Sequence, residues 1–176
     1  MKNCLIYTVK NDQMHLNNLE KSLTLFRDNL NPFVGNIDII FFHDKGAEQF
    51  IENLLKRLNI TNKIILKEFI TRMPPYPEVL QKEINDTIAN PNIKFAQNVG
   101  YKNMCRFWGG EIFKDQTVIN YDYYLRLDTD SFITEPVGYN VFEMLENENK
   151  FYAYIKGNLM GDPPQFCQKL NKTLAE

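Results

Sequence analysis

Three short apolar runs, each halted by polar residues, constrain the fold most strongly. Residues 4–9 (Cys-Leu-Ile-Tyr-Thr-Val) form a continuous apolar run, the pattern of a strand covered on both faces. Ile37 to Phe42 (Ile-Asp-Ile-Ile-Phe-Phe) reads as a second buried strand, and Ile64 to Phe69 as a third strand. Between the first two runs, Leu16, Leu19, Leu23, Phe26 and Leu30 recur at three- and four-residue steps. That spacing predicts an amphipathic helix from His15 to Leu30. Asn31-Pro32 should end it, because the residue before proline is pushed out of the α region. Phe50, Ile51, Leu54, Leu55 and Leu58 give a second helix. Strand–helix–strand–helix–strand order predicts parallel pairing, right-handed crossovers and helices on the sheet faces.

Length and charge then exclude several classes. At 176 residues the chain is one domain long and buries about 70% of its unfolded surface, so it needs no disulfide or metal staple. Twenty Lys and Arg against 22 Asp and Glu leave a net charge of −2. This balance removes the electrostatic motive for nonspecific nucleic-acid or membrane binding. Cys4, Cys105 and Cys167 lack CxxC spacing and read as reduced, mostly buried thiols. His15 and His43 are too few for an all-imidazole metal site. Apolar stretches of about 5–7 residues are far short of a bilayer span, and the start reads as a strand, not a signal peptide. The expectation is a soluble, cytoplasm-like chain.

After Thr71 the rhythm changes. Met73 to Pro77 reads as a loop, Glu78 to Ala89 as a short helix and Asn90-Pro91-Asn92 as a turn. A helix is expected from Gly100 to Phe113, pausing at Gly109-Gly110. Tyr121 to Asp128 reads as an aromatic strand ending in two acids, Asp128 and Asp130. Val141 to Asn149 reads as a helix and Phe151 to Ile155 as a final strand, before a loop and a polar tail.

The two acids are the first chemical signal. On a strand, alternate residues share a face, so Asp128 and Asp130 would point the same way, about 6–7 Å apart at their backbones. At the carboxyl end of a central strand they would stand where open α/β sheets bind ligands. Two hard carboxylates there suit Mg²⁺ or Mn²⁺, with the remaining positions taken by phosphate and water. With 10 Asp in the chain, chance supplies roughly 0.6 Asp-x-Asp matches. From the strand context alone, a metal site and a surface charge pair both stay open. Arg126, two residues earlier, could neutralise a carboxylate or pair with a phosphate.

The wider sequence carries a resemblance. Tyr101-Lys-Asn-Met104-Cys105-Arg106-Phe107-Trp108, followed by Tyr121-Asp122-Tyr123-Tyr124-Leu125-Arg126-Leu127-Asp128-Thr129-Asp130, resembles glycosyltransferase family 15, the fungal α-1,2-mannosyltransferases. Those proteins carry a Tyr-x-x-Met-x-Arg-Phe helix and a Tyr-x-Tyr-Trp-Arg-x-Glu-Pro-Asp strand. Val9-Lys10-Asn11 is similar to the family's turn after its first strand, and Ile39 to Asp44 to its second strand. Met144 to Asn147 and Lys150 to Tyr152 resemble its next helix and strand.

The resemblance implies a GT-A fold over 1–156, a GDP-mannose donor, Mn²⁺ (or Mg²⁺), a glycan acceptor and retention at the sugar. It places Asp128 and Asp130 at the metal, and Thr8, Lys10, Asn11, Tyr101, Arg106, Arg126 and Asp128 around the sugar nucleotide. It gives the catalytic positions to Tyr101 and Arg106. Here Asp-Thr-Asp stands for Glu-Pro-Asp, and Lys10 for an Arg. The family's acceptor half, with its metal-binding histidine, has no counterpart after Ile155, so residues 157–176 are expected to be loop and tail. A homo-oligomer or partner chain would then complete the cleft. The family resides in the Golgi membrane. The alternative is a non-catalytic or partner-completed module that binds a sugar nucleotide. A phosphotransfer or nucleotidyltransfer enzyme is disfavoured, since no Gly-rich phosphate loop is present. Phe107 and Trp108 are expected in the core, and His43-Asp44 either caps a loop or touches the base.

Overall fold

The computed structural model describes residues 1–69, 82, 86 and 99–153. Strand β1 (Asn3–Val9) leads to helix α1 (Gln13–Asn29), a short α2 (Asn31–Val34), β2 (Asp38–His43), α3 (Glu48–Arg57) and β3 (Ile64–Glu68). Then come α4 (Val99–Gly109), two 3-10 turns (Glu111–Lys114 and Val118–Asn120), β4 (Tyr123–Asp128) and α5 (Val141–Asn147). The loop expected at Met73–Pro77 and the turn at Asn90–Asn92 lie outside the described residues. So does the helix expected over Glu78–Ala89, apart from Lys82 and Asp86, which are helical.

The strands form one parallel sheet in the order β3-β2-β1-β4. β1 is central, and Cys4, Leu5, Ile6 and Tyr7 are fully buried. Alternation along the strands builds two apolar layers. Leu5, Tyr7, Val9, Ile39, Phe41 and Leu127 pack with α1 and α3. Cys4, Ile6, Ile40 and Phe42 pack with Phe107 and Trp108 of α4 and with Ile112 and Val118 of the 3-10 turns. Phe107 lies edge-on to Phe42, Phe69 and Trp108 at centroid distances of 4.9, 4.7 and 5.4 Å. This is the Rossmann-like α/β arrangement that the strand and helix order predicts.

Helix α1 starts at Gln13, two residues before the expected start at His15, because Asp12 caps it. The Asp12 carboxylate accepts from the His15 backbone N–H at 3.0 Å, satisfying one of the free donors of the first turn. Pro32 does more than stop a helix. It sits in the first turn of α2, where its missing N–H costs nothing.

Three expectations need correction. β4 begins at Tyr123, since Tyr121 still bonds back to Val118 at 3.1 Å. Residues 151–153 form no strand, and Phe151 is 89% exposed; aromatic composition alone does not make a strand where nothing described covers the ring. Cys105 is exposed, because it falls on the outward side of α4. Cys4 is buried as expected, and burial, with Asp38 nearby, pushes its thiol up to about 12. Cys167 lies outside the described residues.

By its contacts the chain forms two units, Met1–Phe142 and Glu143–Glu176. The first carries the sheet. In the second, the end of α5 is closed by Glu148 and Lys150 N–H groups donating to the Met144 and Leu145 carbonyls at 3.1 and 2.8 Å. The expected boundary at 156 falls outside the described residues. Among those described, no helix is long and apolar enough to cross a membrane.

Candidate functional site

The strand order sets the place of the site. From β1 the chain steps outward through β2 and β3, then returns to β4 on the other side of β1. The crevice beyond the carboxyl ends of β1 and β4 is therefore a topological switch point, where open α/β sheets bind ligands. Thr8 and Asp128 are neighbours there in the β1–β4 register. Lys10 and Asn11 follow β1 directly, and Asp130 follows β4.

Asp128 is the last residue of β4. Its side chain and that of Arg126 lie on the α4 side of the sheet, opposite to the buried Leu127. Arg126 grips Asp128 with three hydrogen bonds. Nε donates to Oδ1 at 3.1 Å, and Nη2 donates to Oδ1 and Oδ2 at 3.0 and 3.1 Å. The guanidinium also rests 4.3 Å over the Trp108 ring. Of the two roles open to Arg126, this geometry displays carboxylate pairing.

Asp130 departs from the expected geometry. The strand ends at Asp128, and Asp130 stands in the following turn, so strand alternation does not align the two carboxylates. The Ser131 N–H donates to the Asp128 carbonyl at 2.9 Å, and the Asp128 N–H donates to Ser131 Oγ at 3.1 Å. This double clasp closes a turn that buries Thr129 and leaves Asp130 exposed. The sterically simple reason is that the turn's i→i+3 bond pulls residue 130 out of the pleat.

The loop after β1 is also held. The Asn11 N–H donates to Asp44 Oδ2 at 3.3 Å and its Nδ2 to the Lys45 carbonyl at 3.0 Å. Gly46 sits at φ +90 beneath it, and a Cβ there would lie 2.8 Å from Asn11 Nδ2. Lys10 pairs with Asp12 at 3.0 Å. The His15 backbone bond, then the His15 ring and Lys10, hold the Asp12 carboxyl well below the usual range. His43 is buried, with Nδ1 3.1 Å from the Asp44 carbonyl, so the loop-capping role is the one displayed.

Helix α4 covers the sheet face that carries Arg126 and Asp128. Arg106, near its end, forms an ion pair with Glu111 rather than with the two acids. Tyr101 lies in α4, and its side chain is outside the described part of the structure. An open hollow of about 410 Å³ runs past Arg106, Glu111 and Lys114. Another of about 370 Å³ lies between Phe42, Lys67, Phe69 and Phe107. Neither includes Asp128 or Asp130.

Asp128 and Asp130 offer the hard oxygen donors that Mg²⁺ and Mn²⁺ prefer, and such ions keep positions for phosphate and water. By the chemistry of their donor atoms alone, these two side chains suit such an ion. Among the described residues, no three His, Cys, Asp or Glu side chains stand together as a preformed metal cluster.

Sequence reasoning missed Ser22. It is buried on α1 beside Leu19, Leu23 and Phe26, donates to the Ser131 carbonyl at 2.7 Å, and meets Tyr7 Oη at 2.9 Å. A serine on the apolar stripe of an amphipathic helix was the available signal.

Comparisons with known proteins agree with this frame. The chain is 24% identical over 160 residues to alpha-1,2 mannosyltransferase KTR1 of Saccharomyces cerevisiae, covering 87% of this chain and 39% of that protein. It is 23% identical over 158 residues to glycolipid 2-alpha-mannosyltransferase 2 of Candida albicans, covering 88% and 33%. In structure it resembles core-mannan synthase A of Aspergillus fumigatus in its Mn/GDP form, with TM-score 0.74 and 23% identity, over 99% of this chain and 48% of that one. The mannosyltransferase Ktr4p of S. cerevisiae in complex with GDP matches with TM-score 0.68 and 20% identity, over 85% and 38%. The fold is thus GT-A-like. The chain spans less than half the length of these proteins. The family model for glycolipid 2-alpha-mannosyltransferases matches residues 1–159, and the chain belongs to that family, glycosyltransferase family 15.

Proposed function

We propose that this chain supplies the sugar-nucleotide site of a metal-dependent, retaining α-1,2-mannosyltransferase that uses GDP-mannose and a glycan acceptor. The observation that carries this reading is the pair Asp128 and Asp130, set at the β1–β4 switch point of a fold shared with a protein solved in a Mn/GDP form. Asp128 and Asp130 hold Mn²⁺ or Mg²⁺, which when bound stabilises the charge of the leaving diphosphate. Thr8, Lys10 and Asn11 border the nucleotide from the end of β1. Arg126, stacked on Trp108, offers its guanidinium to either Asp128 or a phosphate oxygen. Tyr101 and Arg106, the α4 positions that the family resemblance gives to the donor side, are the candidate catalytic residues, and Arg106 would have to leave its ion pair with Glu111 to meet a diphosphate.

The test is nucleotide-dependent stabilisation. GDP at 100 times its dissociation constant should stabilise by about 2.7 kcal/mol with Mn²⁺ present, and much less in EDTA, because carboxylates alone repel a diphosphate. Asp128→Asn and Asp130→Asn should abolish the metal-dependent part while leaving the unliganded melting temperature close to wild type. Equal GDP shifts in Mn²⁺ and EDTA would sink the metal-bridged reading.

A further inference from the structure

The turn that carries the acids is anchored from the far side of the sheet. Tyr7 and Ser22 are 0% and 1% exposed within the apolar layer formed with α1. Polar groups buried there cost free energy unless they are hydrogen-bonded, and Phe and Ala would fill the same positions without that need. The bonding has a definite direction. Ser22 Oγ–H donates to the Ser131 carbonyl at 2.7 Å, which uses its one proton. Tyr7 Oη, 2.9 Å away, must therefore be the donor to Ser22 Oγ. The chain runs Tyr7 to Ser22 to Ser131, and Ser131 in turn clasps both backbone groups of Asp128. Seven residues further along α1, Asn29 ties the same segment again. Its Nδ2 donates to the Ile133 carbonyl at 2.6 Å, and its carbonyl accepts from the Val137 N–H at 2.9 Å.

We propose that the Tyr7–Ser22–Ser131 chain is a positioning device for the acidic turn, fixing where Asp128 and Asp130 stand toward a metal-bound diphosphate. This rests on the reading of that turn as the metal and diphosphate site. Tyr7, Ser22 and Ser131 are positioning residues, acting through the backbone of the turn. Outer partners that orient metal ligands characteristically change metal affinity by about 10- to 100-fold when removed. The arrangement suits this task because the anchors approach from the α1 face, whereas Arg126 and Asp128 lie toward α4. The carboxylates are held without their ligand-facing side being covered.

The experiment uses the whole chain with Ser131→Ala, Ser131→Thr and Tyr7→Phe. Mn²⁺ binding in saturating GDP is followed by the Mn²⁺ electron paramagnetic resonance signal. Amide hydrogen exchange of the unliganded protein is compared between residues 128–133 and strand β2. Ser131→Ala and Tyr7→Phe should weaken Mn²⁺ binding by about tenfold or more and speed exchange in the turn alone. Ser131→Thr, which keeps the oxygen, should restore both. Ser131 is half-buried, so its variants remain informative should Tyr7→Phe fail to fold. Wild-type Mn²⁺ binding by Ser131→Ala, or exchange rising equally in the turn and in β2, would overturn the proposal. Should the wild-type chain bind no Mn²⁺ with GDP, the functional reading fails separately. Exchange then decides the anchor, which is upheld by acceleration confined to the turn and refuted by its absence.

Discussion

Replacing Arg126 by Met tests whether the guanidinium and a metal ion compete for Asp128. Arg126 makes three contacts of 3.0–3.1 Å to that carboxylate, and the two side chains are 38% and 43% exposed. Bare Coulomb attraction at about 4 Å and an effective dielectric of 20 amounts to about 4 kcal/mol. Solvent screening and side-chain ordering reduce exposed pairs to about 0.2–1 kcal/mol. A cation arriving at Asp128 must displace that pairing, so its removal should tighten Mn²⁺ binding by a factor of about 2–5 at the upper end of that range. Methionine keeps a flexible apolar stem against Trp108, and the loss of the cation–π contact costs about 0.5–1 kcal/mol. The melting temperature should fall by about 1–4 °C. Mn²⁺ titration without nucleotide, in low and then high salt, measures the effect, which should shrink as salt screens the pair. Unchanged or weaker Mn²⁺ binding in Arg126→Met at low salt would refute the competition.

Gly46→Ala should lower the melting temperature by about 2–8 °C, from the cost of about 1–2 kcal/mol for a side chain in left-handed backbone. The new Cβ also meets Asn11, so GDP binding should weaken too, and a wild-type melting curve would contradict both. Phe107→Ala removes a ring packed edge-on to three others and should cost about 3–5 kcal/mol; urea unfolding that shows under 1 kcal/mol would deny it a core role. Asp12, with its folded carboxyl held low, contributes stability above the ordinary carboxylate pKa and loses it as pH falls through the folded value. Denaturation from pH 6 to pH 2 should therefore show a shallower acid slope for Asp12→Asn than for wild type, and identical slopes would disprove the linkage.

The centre of the sheet is legible because β1 and β2 are buried on both faces, with Cys4 to Tyr7 fully covered. The α1 periodicity was legible for the same reason, with Leu19, Leu23 and Phe26 fully covered. Phe107 and Trp108 were placed in the core by their type, and both are buried. What escaped was set by hydrogen bonds between distant residues. Strand alternation predicts Asp130 in line with Asp128, but it carries no signal for a turn closed by Ser131 three residues after Asp128. The partners of Ser22 lie 15 and 109 residues away, beyond what helical periodicity encodes. The aromatic pair Phe151-Tyr152 misled in the opposite way, since β propensity describes a half-buried surface and Phe151 is on the outside.

The two faces of the sheet therefore contribute differently to one site. On the α4 face, stacking of Arg126 over Trp108 and pairing with Asp128 set the charge presented to a ligand. On the α1 face, Tyr7, Ser22 and Asn29 hold the backbone of the loop that follows β4. A parallel sheet makes this division available, because successive residues of one strand reach opposite layers. Leu127 inserts into the α1 layer, while its neighbours Arg126 and Asp128 stay on the other side. Changes on the α4 face should move ligand affinity with small effects on stability, since the groups there are partly exposed and screened. Changes on the α1 face should move stability and ligand affinity together, because a buried donor or acceptor left without a partner costs about 1–3 kcal/mol and loosens the acidic turn in the same event.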